Sequence, residues 1–178
     1  LEMRLKRQAV LTTLGRRHLW DPGESPAAYE LGSPEGVQSL IADDILRADP
    51  VSGEVTFVHD ILEDWTLCQV LNLERHRLPQ VLADAGQPLW LVEPVQLLAQ
   101  WWLEREATPD SWRNLLDTLS GEGLDRRWSR AVLSASLQST RGLELLSRVE
   151  PLLVEDDARR LGELMVYLRT VEVAPNPI

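Results

Sequence analysis

Hydrophobic and polar positions alternate over one short stretch of this chain and follow a helical period almost everywhere else. Glu54, Val55, Thr56, Phe57 and Val58 are rich in β-branched and aromatic side chains and follow a turn of Pro50, Val51, Ser52 and Gly53. They predict the second strand of a hairpin whose first strand covers residues 45–48. The period then becomes helical: Ile61, Leu62, Trp65 and Cys68 fall on one side, with Leu67, Val70 and Leu71 spread round the others. A helix apolar on several sides is one that packs against more than one neighbour. His59 and Asp60 stand at the corner between strand and helix, where unpaired first-turn N–H groups favour a carboxylate as cap or dipole partner.

Before this corner, residues 1–20 predict a helix with Met3, Val10 and Leu14 on its apolar side and basic residues opposite, ended by Asp21, Pro22 and Gly23. Residues 24–32 are ill-defined, with a helical turn through Ala27, Ala28 and Tyr29. Ser33 followed by Pro34 is an N-cap with proline at the first helical position, so a helix runs to about Asp44 with Val37, Leu40 and Ile41 inward. The order helix, helix, strand, turn, strand is that of a winged helix, with residues 49–53 as the wing tip. This domain is expected over residues 1–75.

After Arg75 every segment reads as helix. Residues 78–85 form a short one ended by Gly86, and residues 89–106 follow, with Pro94 as a restart or kink and Leu91, Val95, Leu98 and Trp102 inward. Thr108, Pro109 and Asp110 open a helix carrying Trp112, Leu115, Leu116 and Leu119. Asp125 opens one carrying Trp128, Ala131, Val132 and Ala135. Leu145, Leu146 and Val149 mark another before Pro151. The last, over residues 157–171, presents Ala158, Leu161, Met165 and Leu168 and leads into a frayed tail from Ala174. Short helices joined by short loops predict an array of helical hairpins of the HEAT or armadillo kind over residues 76–178. The fold class is therefore mainly α: a winged helix with a small β-hairpin, then a helical-hairpin array.

Composition narrows the function. The chain has 178 residues, enough for one large or two small domains, and its formal net charge is −10. Residues 1–20 carry Arg4, Lys6, Arg7, Arg16 and Arg17 against Glu2, whereas residues 21–64 carry eleven carboxylates against Arg47 alone. The second helix of a DNA-reading winged helix enters the major groove. Here that helix has Glu35, Asp43 and Asp44 as its charged residues, and the wing tip has no Lys or Arg, so no nucleic-acid partner is expected. No apolar run approaches the length of a membrane span, and no signal peptide is visible. A single cysteine excludes a disulfide framework and suits the reducing cytoplasm. Leu1 is not an initiator methionine, which suggests a piece of a longer protein.

No catalytic constellation is legible. The only lysine is Lys6, and no glycine-rich phosphate loop leads to it. Cys68 reads as a buried structural thiol, and Trp101 with Trp102 as core packing. The His59–Asp60 doublet also occurs in metal-dependent phosphohydrolases, where His18 and Asp64 would supply further ligands. A turn and a β-rich run precede His59, however, and His18 lies on a basic stretch, so no metal site is expected.

Residues 55–71, VTFVHDILEDWTLCQVL, resemble the end of the winged helix in STAND-type signalling ATPases, the group that includes the NLR immune receptors and their NACHT and NB-ARC relatives. In that family the last wing strand runs into a Met-His-Asp motif and an amphipathic helix. Val58-His59-Asp60 matches it with Val in place of Met, and residues 41–46 are similar to the segment leading into the wing. The resemblance implies that His59 contacts the β-phosphate of ADP held by a separate nucleotide-binding domain, and that Asp60 fixes the local turn. It implies no cofactor within this chain, with ADP or ATP met only through that upstream domain. The partners would be that domain and, along the helical array, other proteins. The chain would then be a non-enzymatic sensor fragment, by analogy in bacterial defence against phage. The alternatives are a winged-helix transcription regulator and a helical protein-interaction scaffold.

Overall fold

The first helix, α1 (Glu2–Trp20), owes its close packing to glycine at two places. Gly15 lies in the middle of α1, and a Cβ there would meet Thr66 Cγ2 at 2.8 Å and Val70 Cγ2 at 3.0 Å. Gly36 lies in the first turn of α2 (Pro34–Ala42), where a Cβ would stand 2.9 Å from the backbone oxygen of Lys6. Absent side chains thus let α1 lie close against both α2 and α3 (Asp60–Leu73). Between them sits a core of Val10, Leu14, Leu31, Val37, Leu40, Leu46, Val55 and Phe57.

The computed structural model describes residues 1–105 and 108–169. Among them are nine α-helices and one two-stranded antiparallel hairpin, so the fold is mainly helical. The chain divides into two compact units, Leu1–Gly86 and Gln87–Ile178. The short helix α4 (Leu78–Asp84), which follows the change of pattern at residue 75, groups with the first unit.

Local chemistry sets the elements of the first unit. Ser33 caps α2, its Oγ accepting from the Gly36 N–H at 3.2 Å, with Pro34 at the first helical position. The helix ends with Asp44 in the left-handed region, φ 53°: the Ile45 N–H donates to the Leu40 carbonyl and the Asp44 N–H to that of Ile41. These two bonds are those of a Schellman ending, a place where glycine is usual and aspartate is tolerated. The reversal launches β1 (Leu46–Ala48), which pairs with β2 (Val55–Phe57) in the register Leu46 with Phe57 and Ala48 with Val55. Asp49 closes the turn by accepting from the Val51 and Ser52 N–H groups, both at 2.8 Å, with Gly53 at φ 72°. These donors, Ser52 first, hold the Asp49 carboxyl below its ordinary range.

Residues 24–32, where the sequence showed only a helical turn through Ala27, Ala28 and Tyr29, also contribute a third edge to the ribbon. The Val55 N–H donates to Pro26 O at 2.9 Å, the Ala28 N–H donates to Gly53 O at 3.1 Å, and a 3-10 turn, Ala28–Leu31, buries Leu31.

The second unit is centred on α7 (Arg126–Gln138), which packs against α5 (Val92–Arg105), α6 (Asp110–Leu119), α8 (Gly142–Leu153) and α9 (Glu155–Leu168). Ala131, Ser134, Ala135 and Ser136 are buried on α7, small enough to admit neighbours on several sides. Trp112 on α6 reaches across to donate from Nε1 to Val132 O at 2.9 Å. The last carbonyls of α5 are met by guanidinium groups, Arg148 donating to Leu103 O at 2.6 Å and Arg141 to Glu104 O at 3.4 Å.

Several inward assignments from periodicity are corrected. Ile61 is 56% and Trp65 42% exposed, because α1 occupies the face of α3 bearing Thr66 and Val70 and leaves theirs at the rim. Met3 is 43% exposed where it lines an open groove beside α3. Pro151 does not end its helix: α8 continues to Leu153, with Pro151 inside its last turn. On α9 it is Leu164, not Met165, that is buried. The frayed tail expected from Ala174 lies outside the described residues.

Candidate functional site

His59 is the N-cap residue of α3, extended at φ −136° and ψ 140°. The ribbon delivers it there: the Val58 N–H donates to Ile45 O at 3.1 Å, while the His59 carbonyl accepts from the Leu62 N–H at 3.0 Å and so begins the helix. Both bonds use the backbone, and among the described residues the imidazole has no hydrogen-bond partner. It makes no cap hydrogen bond and is exposed. Asp60 is also exposed; with Glu63 it supplies negative charge to the first turn and supports the helix dipole without capping an N–H. The corner therefore presents an unengaged imidazole beside a carboxylate.

His18, the distant partner considered for a metal, is placed otherwise. Its Nδ1 lies 2.9 Å from Glu63 Oε1, out of line for a hydrogen bond, and its ring stacks on Phe57 with centroids 6.4 Å apart. It joins α1 to β2 and α3 as a packing residue. Among the described residues no three His, Cys, Asp or Glu side chains are placed to hold a metal ion.

The uneven charge of the sequence resolves into pairs across the first unit. Lys6 bonds Glu35, Arg7 bonds Asp43 at 2.6 Å, Arg17 bonds Glu30, and Arg16 approaches Glu74 at 3.5 Å. Three of the five α1 cations, Lys6, Arg7 and Arg17, are thus met by the acidic block that follows, Arg16 turns to Glu74, and α2 itself carries no basic side chain. These partly exposed pairs fix orientation more than they stabilise. Residues so far apart in sequence gave no signal of this pairing.

Alongside runs an apolar groove of about 690 Å³ between α1 and α3, lined by Met3, Leu11, Ile45, Leu62, Trp65 and Leu73, with Arg4 at its edge. Of its exposed apolar side chains, Met3 and Trp65 were placed by the sequence on the apolar sides of their helices. Cys68, by contrast, is fully buried, and burial pushes its thiol up to about 12. It is unsuited to nucleophilic work.

Among the described residues no helix is long and apolar enough to cross a membrane. Compared with known protein families, with curated proteins and with solved structures, the chain matches none.

Proposed function

We propose that this chain is the non-catalytic regulatory part of a STAND-type ATPase switch, with residues 1–75 as its winged helix and residues 76–178 as a helical-hairpin array for protein partners. The observation that carries the reading is the exposed, unbonded imidazole of His59 at the point where the ribbon turns into α3. An imidazole so held can donate to a phosphate oxygen, and a contact made in one state of a switch biases the equilibrium towards it. In this reading His59 meets the β-phosphate of ADP on the nucleotide-binding domain, Asp60 supports the turn, and that domain docks on the groove beside Trp65 and Leu73. The third ribbon edge at Pro26 and Ala28 is a further support for the winged helix. The packing of α5, α7 and α9 in succession, with α6 and α8 against α7, supports the hairpin array.

A DNA-reading role is disfavoured by an α2 whose charged side chains are acidic and whose neighbouring cations are already paired. The reading places a phosphate-loop domain upstream of Leu1 in the gene. In the protein containing both, His59→Ala is expected to release ADP about tenfold faster and to raise basal signalling. Release at the unaltered rate would remove His59 from the switch.

A further inference from the structure

Two groups stand out among the ten arginines of the second unit, with Arg105 and Arg169 belonging to neither. Arg113, Arg127, Arg141, Arg148 and Arg160 each bond a carboxylate. Arg126, Arg130 and Arg159 bond none among the described residues, yet all three line one concavity of about 310 Å³. Arg126 and Arg130 are one turn apart on α7 and so share a face, and Arg159 comes from α9. Like charges gathered round one concavity repel, and a chain of net charge −10 has ample carboxylates to relieve them. One carboxylate, Glu163, stands at the same concavity, and the charge of Arg130 is also felt by Asp125. The hydroxyls of Ser120 and Ser129 donate within their own helical turns, to Leu116 O at 2.7 Å and Arg126 O at 3.0 Å, so the donors left for a ligand are the guanidinium forks. Planar forks match the oxygens of a phosphoryl group.

A second concavity, of about 460 Å³, shares Arg130, Arg159 and Glu163 and continues along α9 past Gly162, Val166 and Tyr167. A side chain at Gly162 would meet nothing within 4 Å, so its absence leaves room along the helix. Both volumes lie in the range of small-molecule sites.

We propose that Arg126, Arg130 and Arg159 form a binding site for an organic phosphomonoester, whose phosphoryl group is held by the guanidinium groups and whose apolar body lies along Gly162, Val166 and Tyr167. The site is built from residues of the second unit alone and does not depend on the switch reading.

Calorimetric titration of the purified chain at low salt tests it, with phenyl phosphate, inorganic phosphate and benzyl alcohol as probes. Phenyl phosphate is expected to bind saturably, inorganic phosphate more weakly, and benzyl alcohol not at all. Arg130→Gln and Arg159→Gln are each expected to weaken phenyl phosphate about tenfold, the loss expected for a charge-assisted hydrogen bond. Arg130→Lys, which keeps charge and fold but not the fork, should weaken it less. Glu163→Gln, a surface change, should tighten it, and Gly162→Leu should bring phenyl phosphate down to the affinity of inorganic phosphate. Absence of saturable phosphate binding, or binding indifferent to the arginine and Glu163 variants, overturns the site. Equal affinity for phenyl and inorganic phosphate in the unaltered chain overturns the assignment of an ester.

Discussion

Trp128 Nε1 donates to Gln87 Oε1 at 3.0 Å, and the same oxygen accepts from the Asp125 N–H at 2.7 Å. Gln87 Nε2 completes the clamp by donating to Gly123 O at 3.0 Å. One amide at the start of the second unit thereby fixes the loop that leads into its central helix. Trp128 is fully buried, so removing its acceptor leaves an unpaired N–H in the core. Gln87→Ala is expected to destabilise this unit by about 1–3 kcal/mol. Hydrogen exchange along α7 checks it: protection of those amides at the wild-type level would show that the clamp contributes nothing.

The approach of α1 to α2 at Gly36 allows an equally specific test. Alanine is the better helix former by about 1 kcal/mol, which by itself favours Gly36→Ala. Its Cβ, however, would lie 2.9 Å from the Lys6 backbone oxygen and 3.0 Å from Val10 Cγ2. Backbone yields less readily than a flexible side chain, and overpacking costs about 1–3 kcal/mol, so the net effect is expected to be destabilising. A urea midpoint at or above the wild-type value would mean that the two helices separate freely.

Asp125 caps α7, accepting from the Arg127 N–H at 2.9 Å and bonding the Arg127 guanidinium. The Arg127 side chain first, then its backbone N–H, holds the carboxyl down at about 2. The unfolded carboxyl titrates at about 3.9, so the folded value is the lower one. The stabilising contribution is therefore present above about pH 4 and is lost as pH falls towards about 2. Asp125→Asn keeps a capping oxygen but cannot titrate. Its melting temperature should vary less steeply with pH across that window than that of the unaltered chain, and parallel profiles would count against the linkage.

Cys68 gives the opposite sign. Burial raises its thiol from about 9 to about 12, so its contribution is present below about pH 9 and declines as pH rises towards about 12. At pH 8 the folded chain is expected to resist alkylation, while denatured chain reacts at the rate of a free thiol. Modification of native protein as fast as that of denatured protein would place Cys68 at the surface.

Much of this protein is written locally. The Ser33 cap with Pro34, the Asp49 to Gly53 turn, the Asp125 cap and the glycine stop at Gly86 each act over a few residues, so sequence alone located the elements they bound. It also marked His59 and Asp60 as the corner between ribbon and helix. Tertiary structure decided what local chemistry leaves open. A helix such as α3, apolar on several sides, does not specify which side is covered, and the small Gly15 gave that place to Thr66 and Val70 rather than Ile61 and Trp65. The ion pairs of α1, the Gln87 clamp and the gathering of Arg126, Arg130 and Arg159 join residues remote in sequence. Hydrophobic period records only that a side chain is apolar, whereas a partner is chosen by the distance and direction of groups brought together by folding.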